Sequence, residues 1–268
     1  MALDIIIVGA LGRMGKEIAG LALADLAFSI SGALEYDGHP SMGNDYGTCL
    51  GRDPLGISLS SSITDHPSEK AVIIDFSSPH SFEKHLTPAA DKKLPVVIGT
   101  TGLTADDKAF AASFSDRIPL LISPNMSLGV NLLFLLTELV SSRLKDDYDI
   151  EIIEAHHRYK KDAPSGTAKR LGEIVAESLG MQYADCIRDG REGISSSDRS
   201  RKEVGMHAVR GGDIVGDHTV LFAGIGERIE LKHMAHSRST FARGALLAAK
   251  WLVEQPCGLY SMRNMLGL

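Results

Sequence analysis

D-I-I-I-V-G-A-L-G-R-M-G, residues 4–15, sets the architecture of the first half of the chain. Asp4 to Val8 is a short, mostly β-branched run that stops at a glycine, as a strand buried in a parallel sheet does. Glycines follow at positions 9, 12 and 15, and Met14, Ile18 and Leu21 recur at i, i+4 and i+7, so a helix with one apolar face comes next. The order strand, glycine turn, helix gathers free backbone N–H groups and the positive end of a helix dipole at one point, which suits a pyrophosphate. A second strand, Phe28 to Leu34, ends in Glu35, at the offset where a carboxylate accepts hydrogen bonds from an adenine-ribose hydroxyl. Leu11 stands where the commoner dinucleotide fingerprint has its second glycine, and an ordinary βα turn with glycines for close packing is the competing reading.

Alternation of strand and helix continues to residue 126. Tyr36 to Gly56 is rich in Gly, Pro, Asn and Asp without periodicity and reads as a long loop. Val72 to Phe76 reads as a strand, Pro79 to Lys92 as a helix opened by proline, and Pro95 to Ile98 as a strand. Thr104 to Ser115 reads as a helix capped by Thr104, and Ile118 to Ile122 as a strand. Repeated βα units predict a parallel sheet covered on both faces. Ligands lie beyond the carboxyl ends of such strands. Gly99-Thr100-Thr101-Gly102 and Ser123-Pro124-Asn125-Met126 would therefore flank the same cleft as the glycine turn, unless they are simply turns.

Beyond residue 127 the pattern changes. Leu128 to Lys145 reads as a helix, Asp149 to Glu154 as a strand, and Ser165 caps a helix running to about Leu179. Asp185 to Glu203, with Ser195-Ser196-Ser197, reads as a mobile polar excursion. Val204 to Val209, Ile214 to Phe222 and Glu227 to His233 read as strands; the last alternates apolar and polar residues, the mark of an antiparallel sheet covered on one face. The expected fold is α/β, a dinucleotide-binding domain over 1–126, then an α+β domain over 127–236 with a mixed, largely antiparallel sheet. A segment over 237–268, carrying Trp251 on a helix from Thr240 to Glu254, is expected to return to the first domain.

Composition narrows the class. The 268 residues have 44% hydrophobic and 23% charged content, a formal net charge of -6 and a pI near 5.9, which argues against a nucleic-acid binder working through a general basic surface. Cys49, Cys186 and Cys257 are odd in number and far apart, so neither a disulfide framework nor a thiolate metal site is indicated and a cytoplasmic setting fits. The most apolar stretch, Leu132 to Leu136, is far too short to span a membrane.

E-A-H-H-R-Y-K-K-D-A-P-S-G-T, Glu154 to Thr167, carries the chemistry. His156, His157 and Lys160 put proton donors and acceptors near neutral pH beside a fixed positive charge, and a lysine among other cations can serve as an acid. Four residues separate His156 from Lys160, which would share a side if the loop curled helically. Ser165, Gly166 and Thr167 open a helix with two hydroxyls and unblocked N–H groups, apt for a carboxylate. A solvated charge cluster is the competing reading. Metal ligation by the histidine pair lacks a third ligand at a recognisable spacing, and Asp162 could simply pair with Lys161 at the surface.

I-E-I-I-E-A-H-H-R-Y-K-K-D-A-P-S-G-T-A (Ile150 to Ala168), V-G-A-L-G-R-M-G (Val8 to Gly15), V-I-G-T-T-G (Val97 to Gly102), V-R-G-G-D-I-V-G-D-H-T (Val209 to Thr219) and T-F-A-R-G-A (Thr240 to Ala245) together resemble the 4-hydroxy-tetrahydrodipicolinate (dihydrodipicolinate) reductases of the diaminopimelate route to lysine. The resemblance covers nearly the whole chain. It implies a Rossmann-type domain for NADH or NADPH, a substrate domain whose sheet builds a homotetramer, and a small dicarboxylate substrate. It places the proton donor/acceptor on His156 and the lysine donor on Lys160, with substrate carboxylate contacts on His157, Gly166 and Thr167 beside Ser165. Nucleotide contacts fall on Gly9, Ala10, Leu11, Gly12, Arg13 and Met14, on Glu35 with Tyr36 beside it, on Gly99, Thr100 and Thr101, and on Ser123, Pro124, Asn125 and Met126. The implied reaction is hydride transfer to the substrate ring with loss of water. Tyr36 departs from the pattern, since members that bind the phosphorylated cofactor well often carry arginine there; Arg13 is then the nearest cation in sequence. Another oxidoreductase acting on an amino acid or sugar, or a sensor of nicotinamide nucleotides without turnover, is the alternative. A sensor has no need of His156 and Lys160 beside an anion cradle.

Overall fold

The structure, a computed structural model, describes residues 2–66, 70–144, 147–195 and 197–267. Lys145, the expected last residue of one helix, Ser196 of the polar excursion, and the terminal Met1 and Leu268 lie outside the described residues. The chain divides into two compact units, residues 1–128 with 238–268, and residues 129–237.

The first unit opens with β1 (Leu3–Val8), in which Ile5, Ile6, Ile7 and Val8 are all buried. A strand covered on both faces has no polar side to alternate with, hence the unbroken apolar run. α1 (Arg13–Leu23) follows, burying Gly15, Ile18, Ala19 and Ala22, and then β2 (Phe28–Leu34). The stretch expected to be a bare loop holds the short helix α2 (Tyr46–Cys49). Asp45 caps α2 by accepting from the Thr48 N–H, and its carboxylate also takes the N–H groups of Leu55 and Gly56. Order that comes from one aspartate folding the backbone around itself leaves no hydrophobic period to read. β3 (Leu59–Ser60), β4 (Val72–Asp75), α3 (Glu83–Asp91), β5 (Val96–Ile98), α4 (Ala105–Ala112) and β6 (Pro119–Ile122) complete this part. Pro79 does not open α3: Ser78 and Ser81 bond to one another in a turn, and the helix begins at Glu83 with Pro88 inside it. Thr104 does cap α4, in a reciprocal box with Asp107.

The second unit holds α5 (Leu128–Leu144), β7 (Asp149–His156), α6 (Gly166–Ser178), α7 (Tyr183–Cys186), β8 (Ile187–Asp189), β9 (Val204–Arg210), β10 (Gly216–Ala223) and β11 (Arg228–Ala235). Its five strands lie in the order β11-β10-β7-β9-β8. β10 is antiparallel to β11 and β7, whereas β9 is parallel to both β7 and β8. The sheet is mixed, with pairings of each sense in equal number rather than mostly antiparallel, because the long connection from β7 to β9 is a helical crossover of the kind parallel neighbours require. Ile150, Ile152, Val204, Met206, Val220 and Phe222 on one face pack with Ala168, Leu171 and Val175 of α6 and Leu133 of α5.

Residues 185–203 are anchored at both ends, with an exposed irregular stretch between the anchors. Cys186 is buried, β8 joins the sheet, and Arg191 and Arg199 both bind Glu151. Arg191 also binds Glu203, and Arg199 binds Asp149. Although burial opposes its ionisation, hydrogen bonds from Arg191, His207 and Arg199 hold Glu151 at about 2. A polar composition concealed the anchor because the anchor is itself polar.

α8 (Ser239–Leu252), β12 (Gly258–Tyr260) and α9 (Met262–Met265) belong to the first unit. β12 pairs with β6, giving the all-parallel order β12-β6-β5-β4-β1-β2-β3. Ala242, Ala245, Leu246 and Ala249 of α8 share a core with Ile5, Ile7 and Ile18, and Trp251 stands edge-on to Tyr260 at 5.2 Å.

Candidate active site

Among the cavities at the carboxyl ends of the first unit's strands, two adjoin. The first, about 270 Å³, is lined by Gly9, Gly12, Glu35, Tyr36, Lys84 and His85 among others. The second, about 410 Å³, is lined by Arg13, Met14, Gly99, Thr100, Thr101, Pro124, Asn125 and Met126, with Phe241 of α8. Phe76 and Ser77 line both, so the two are neighbours, as the halves of a dinucleotide site must be. Gly9 has a φ of 74°, a conformation glycine supplies without strain. The N–H groups of Gly9 and Ala10 both donate to the Leu34 carbonyl at 3.0 Å, tying the turn to β2. Leu11 needs no glycine because its N–H donates to Glu35 Oε1 at 2.7 Å. At Gly99 a Cβ would run into the Phe76 ring, so the second cavity requires glycine there.

Some expected nucleotide residues serve this site from behind. Ala10 is fully buried, and Ser123 is buried with its hydroxyl on the Asn125 carbonyl. Thr100 Oγ1 donates to Asp75 Oδ1 at 3.1 Å, and Asp75 also takes the Ser77 N–H and hydroxyl. Asp75, 1% exposed, thus joins the two loops that meet at Phe76, and sequence reading passed over it as the end of a strand. Tyr46 was missed likewise; fully buried, it donates its hydroxyl to the Ala10 carbonyl at 2.9 Å and props the glycine turn. Arg13 faces the second cavity, and the cation lining the Glu35–Tyr36 cavity is Lys84.

The second unit carries the residues expected to transfer a proton. β7 extends to His156, so this histidine is held in the sheet and not in the loop after it. The loop makes a turn, with the Lys160 N–H on the His157 carbonyl at 3.0 Å, instead of curling into a helix. Lys160 Nζ lies 2.9 Å from Asp162 Oδ2, so the aspartate pairs with Lys160 and not with Lys161. Glu154, fully buried, is the centre of the arrangement. It accepts from both Nη atoms of Arg210 at 2.8 Å, from the Ser165 N–H at 3.0 Å, and pairs with His156 Nδ1 at 2.6 Å. Burial works against its ionisation, but Arg210, His156 and the Ser165 N–H hold the carboxyl below the usual range. A carboxylate is an acceptor only, so Nδ1 carries the proton and Nε2 is left for chemistry.

Burial lowers the pKa of His156, with Lys160 and Arg210 adding to the effect and Glu154 opposing it. A Cβ on Gly216 would stand 3.0 Å from His156 Nε2, so glycine at the start of β10 keeps that atom clear. His218, 3% exposed, lies edge-on to His156 and is pushed down to about 3, chiefly by burial, so it stays neutral. Ser165 caps α6 by accepting from the Ala168 N–H, and its hydroxyl also meets His218 Nε2 at 3.0 Å. That buried hydroxyl is occupied, which leaves the exposed Gly166 and the half-buried Thr167 to present the helix terminus. His157 Nδ1 is buried without a hydrogen-bond partner among the described residues. No group of metal-ligating side chains is found among the described residues, and no helix among them is long and apolar enough to cross a membrane.

A parallel sheet with a glycine turn and a carboxylate at the end of β2, on one chain with a histidine and lysine near the N-terminus of α6, defines a nicotinamide-nucleotide-dependent oxidoreductase. Residues 3–126 match the family profile described as "Dihydrodipicolinate reductase, N-terminus", and residues 129–266 match its "C-terminus" counterpart. The chain belongs to the dihydrodipicolinate reductase family. It is 47% identical over 266 residues to the 4-hydroxy-tetrahydrodipicolinate reductase of Trichlorobacter lovleyi, covering 99% of both chains, and 47% identical over 264 residues to that of Geotalea uraniireducens, covering 98% of both. Among solved structures, the dipicolinate-bound dihydrodipicolinate reductase from Paenisporosarcina sp. TG-14 aligns with a TM-score of 0.76 at 21% identity, over 98% of this chain and 99% of that one. At that identity the likeness concerns the fold.

Proposed function

We propose that the protein is a 4-hydroxy-tetrahydrodipicolinate reductase, which reduces its substrate to tetrahydrodipicolinate with loss of water on the route to diaminopimelate and lysine. The observation that carries the reading is the buried Glu154–His156 pair close to Lys160 and the open end of α6. One oxidation of NADH or NADPH balances each reduction: a hydride and a proton enter the substrate, and its hydroxyl departs as water. The nicotinamide, when bound, supplies the hydride. His156 and Lys160 manage the proton, and the Gly166 and Thr167 N–H groups, with His157, hold a carboxylate of the dicarboxylate substrate. In a coupled assay that generates the substrate, the purified protein is expected to oxidise NADH or NADPH only when that substrate is present. Absence of turnover with either cofactor would remove the reading.

The first cavity suits the adenosine half of the cofactor, with Glu35 for the ribose, and the second suits the nicotinamide half, where Gly99 leaves room. A 2′-phosphate brings charge against the Glu35 carboxylate. Lys84 offsets this in part, but an exposed lysine contributes only about 1 kcal/mol to such a contact. NADH is therefore used at least as well as NADPH. Tyr36 is 63% exposed at the cavity rim, and Tyr36→Arg is expected to move the ratio of specificity constants toward NADPH by roughly tenfold. Titration of both proteins with both cofactors at fixed ionic strength tests this, and a wild type that strongly prefers NADPH would contradict it.

We also propose a cytoplasmic homotetramer built through the sheet of the second unit. Support comes from the face turned away from α6, where Ile153 of β7, Val209 of β9 and Met234 of β11 are exposed. Sedimentation should give four times the 28.8 kDa chain mass, and a monomer at micromolar concentration would count against it.

A further inference from the structure

We propose that Glu154 is a positioning residue that keeps the proton of His156 on Nδ1 and, with Arg210 as its counter-ion, sets the pH at which Nε2 gains and loses a proton. The inference rests on the reading of His156 as the proton-transfer group.

Glu154 and His156 project from the same face of β7, two residues apart, and the short Nδ1···Oε2 contact of 2.6 Å is what that spacing permits. The carboxylate has no freedom to turn away. Arg210 reaches it from β9 through two parallel bonds, the Ser165 N–H fixes Oε1 from the start of α6, and the same Arg210 donates to the Val209 and Asp162 carbonyls. Glu154 is fully buried, whereas Arg210 is partly exposed and Asp162 lies at the surface, so the carboxylate end of the arrangement is the part shielded from solvent. His156 lies in direct register with Arg210 on β9, and its remaining neighbours bear on the same proton. Lys160, held by Asp162, repels a charged His156, and His218 from β10 stands edge-on with its own charge suppressed; His233 of β11 acts on His218. Among the described residues Glu154 is therefore the carboxylate bonded to His156 that favours its protonated form, and Arg210 the cation bonded to that carboxylate that tempers it.

Two substitutions separate these charges. Glu154→Gln keeps the shape and an acceptor for Nδ1–H but loses the charge, so the apparent pKa of His156 is expected to fall by roughly one unit, and turnover above that pH by about tenfold. Arg210→Gln frees the carboxylate of its counter-ion and should move the same pKa upward. A merely structural role would lower stability in both variants without opposite shifts. The measurement is nitrogen NMR of histidine-labelled protein, which reads tautomer and titration without turnover, alongside pH profiles of kcat and the KM for NADH. Expected are an Nδ1–H tautomer in the wild type, opposite shifts in the variants and an unchanged KM for NADH. An Nε2–H tautomer in the wild type, or shifts of one sign, would overturn the proposal. The wild-type tautomer and Arg210→Gln suffice should Glu154→Gln not fold. A wild type without reductase activity would sink the functional reading while leaving this test in place.

Discussion

Turnover falls by roughly two to four orders of magnitude in His156→Ala and in Lys160→Ala, the range a positioned acid or base supplies, while NADH affinity stays near that of the wild type. The separation follows from placement: both residues belong to the second unit, and every residue lining the two cavities proposed for the nucleotide belongs to the first. Folding should survive the histidine change, because Glu154 keeps Arg210 and the Ser165 N–H as partners. Losing Lys160 leaves Asp162, which is exposed and readily solvated. The pH profile adds a second check. Burial and the neighbouring cations place the pKa of His156 below the ordinary histidine value, so its protonated form, and the turnover that depends on it, is present at low pH and lost as pH rises through that lowered value. That limb should vanish in His156→Ala and persist in Lys160→Ala. Stopped-flow or steady-state kinetics across pH decide it, and near-normal turnover in both variants would remove the proton-transfer assignment.

Much of this site could be read from residue order alone, and the reason is local. Gly9 to Met14 reveal themselves because a turn at the end of a strand needs glycines in adjacent positions, and Ser165 because a cap stands directly before its helix. Partners that arrive from distant strands leave no such trace. Arg210 meets Glu154 only because β9 lies parallel beside β7, a pairing that the alternating pattern of the later strands did not suggest. Lys84 reaches the Glu35 cavity because α3 starts late, at Glu83, after a serine turn that sequence reading took for helix. Tyr46 sat in a segment with no period, and its role depends on a single long-range hydroxyl bond. The polar run from 185 to 203 misled for the same reason: charge that serves as an anchor looks in sequence like charge that faces water.

Gly15→Ala should weaken NADH binding by at least tenfold and up to about a hundredfold, and lower the melting temperature with it. Gly15 is in the first turn of α1 with its α-carbon against the glycine turn. A Cβ there would collide with the Gly9 carbonyl oxygen and stand 2.7 Å from the Ala10 carbonyl oxygen and 2.8 Å from its carbon. All three atoms are backbone, so no rotamer change relieves the clash, and either α1 slides outward or the turn opens. The turn resists, being tied to β2 through Leu34, to α2 through Tyr46 and to Glu35 through Leu11. Overpacking of this kind costs about 1–3 kcal/mol, and where the strain is released by displacing the N–H groups at the start of α1 that are proposed to meet the pyrophosphate, about 2.8 kcal/mol corresponds to about a hundredfold in affinity. Gly12→Ala is the internal control: its Cβ would meet only the Gly9 oxygen, at 3.0 Å, a contact that a shift of a few tenths of an ångström resolves. Fluorescence titration with NADH should therefore rank wild type, Gly12→Ala and Gly15→Ala in falling order, with the melting temperatures following. Wild-type affinity in Gly15→Ala would mean that α1 moves without carrying the turn with it, and that the close packing of helix on turn is not what shapes the proposed pyrophosphate site.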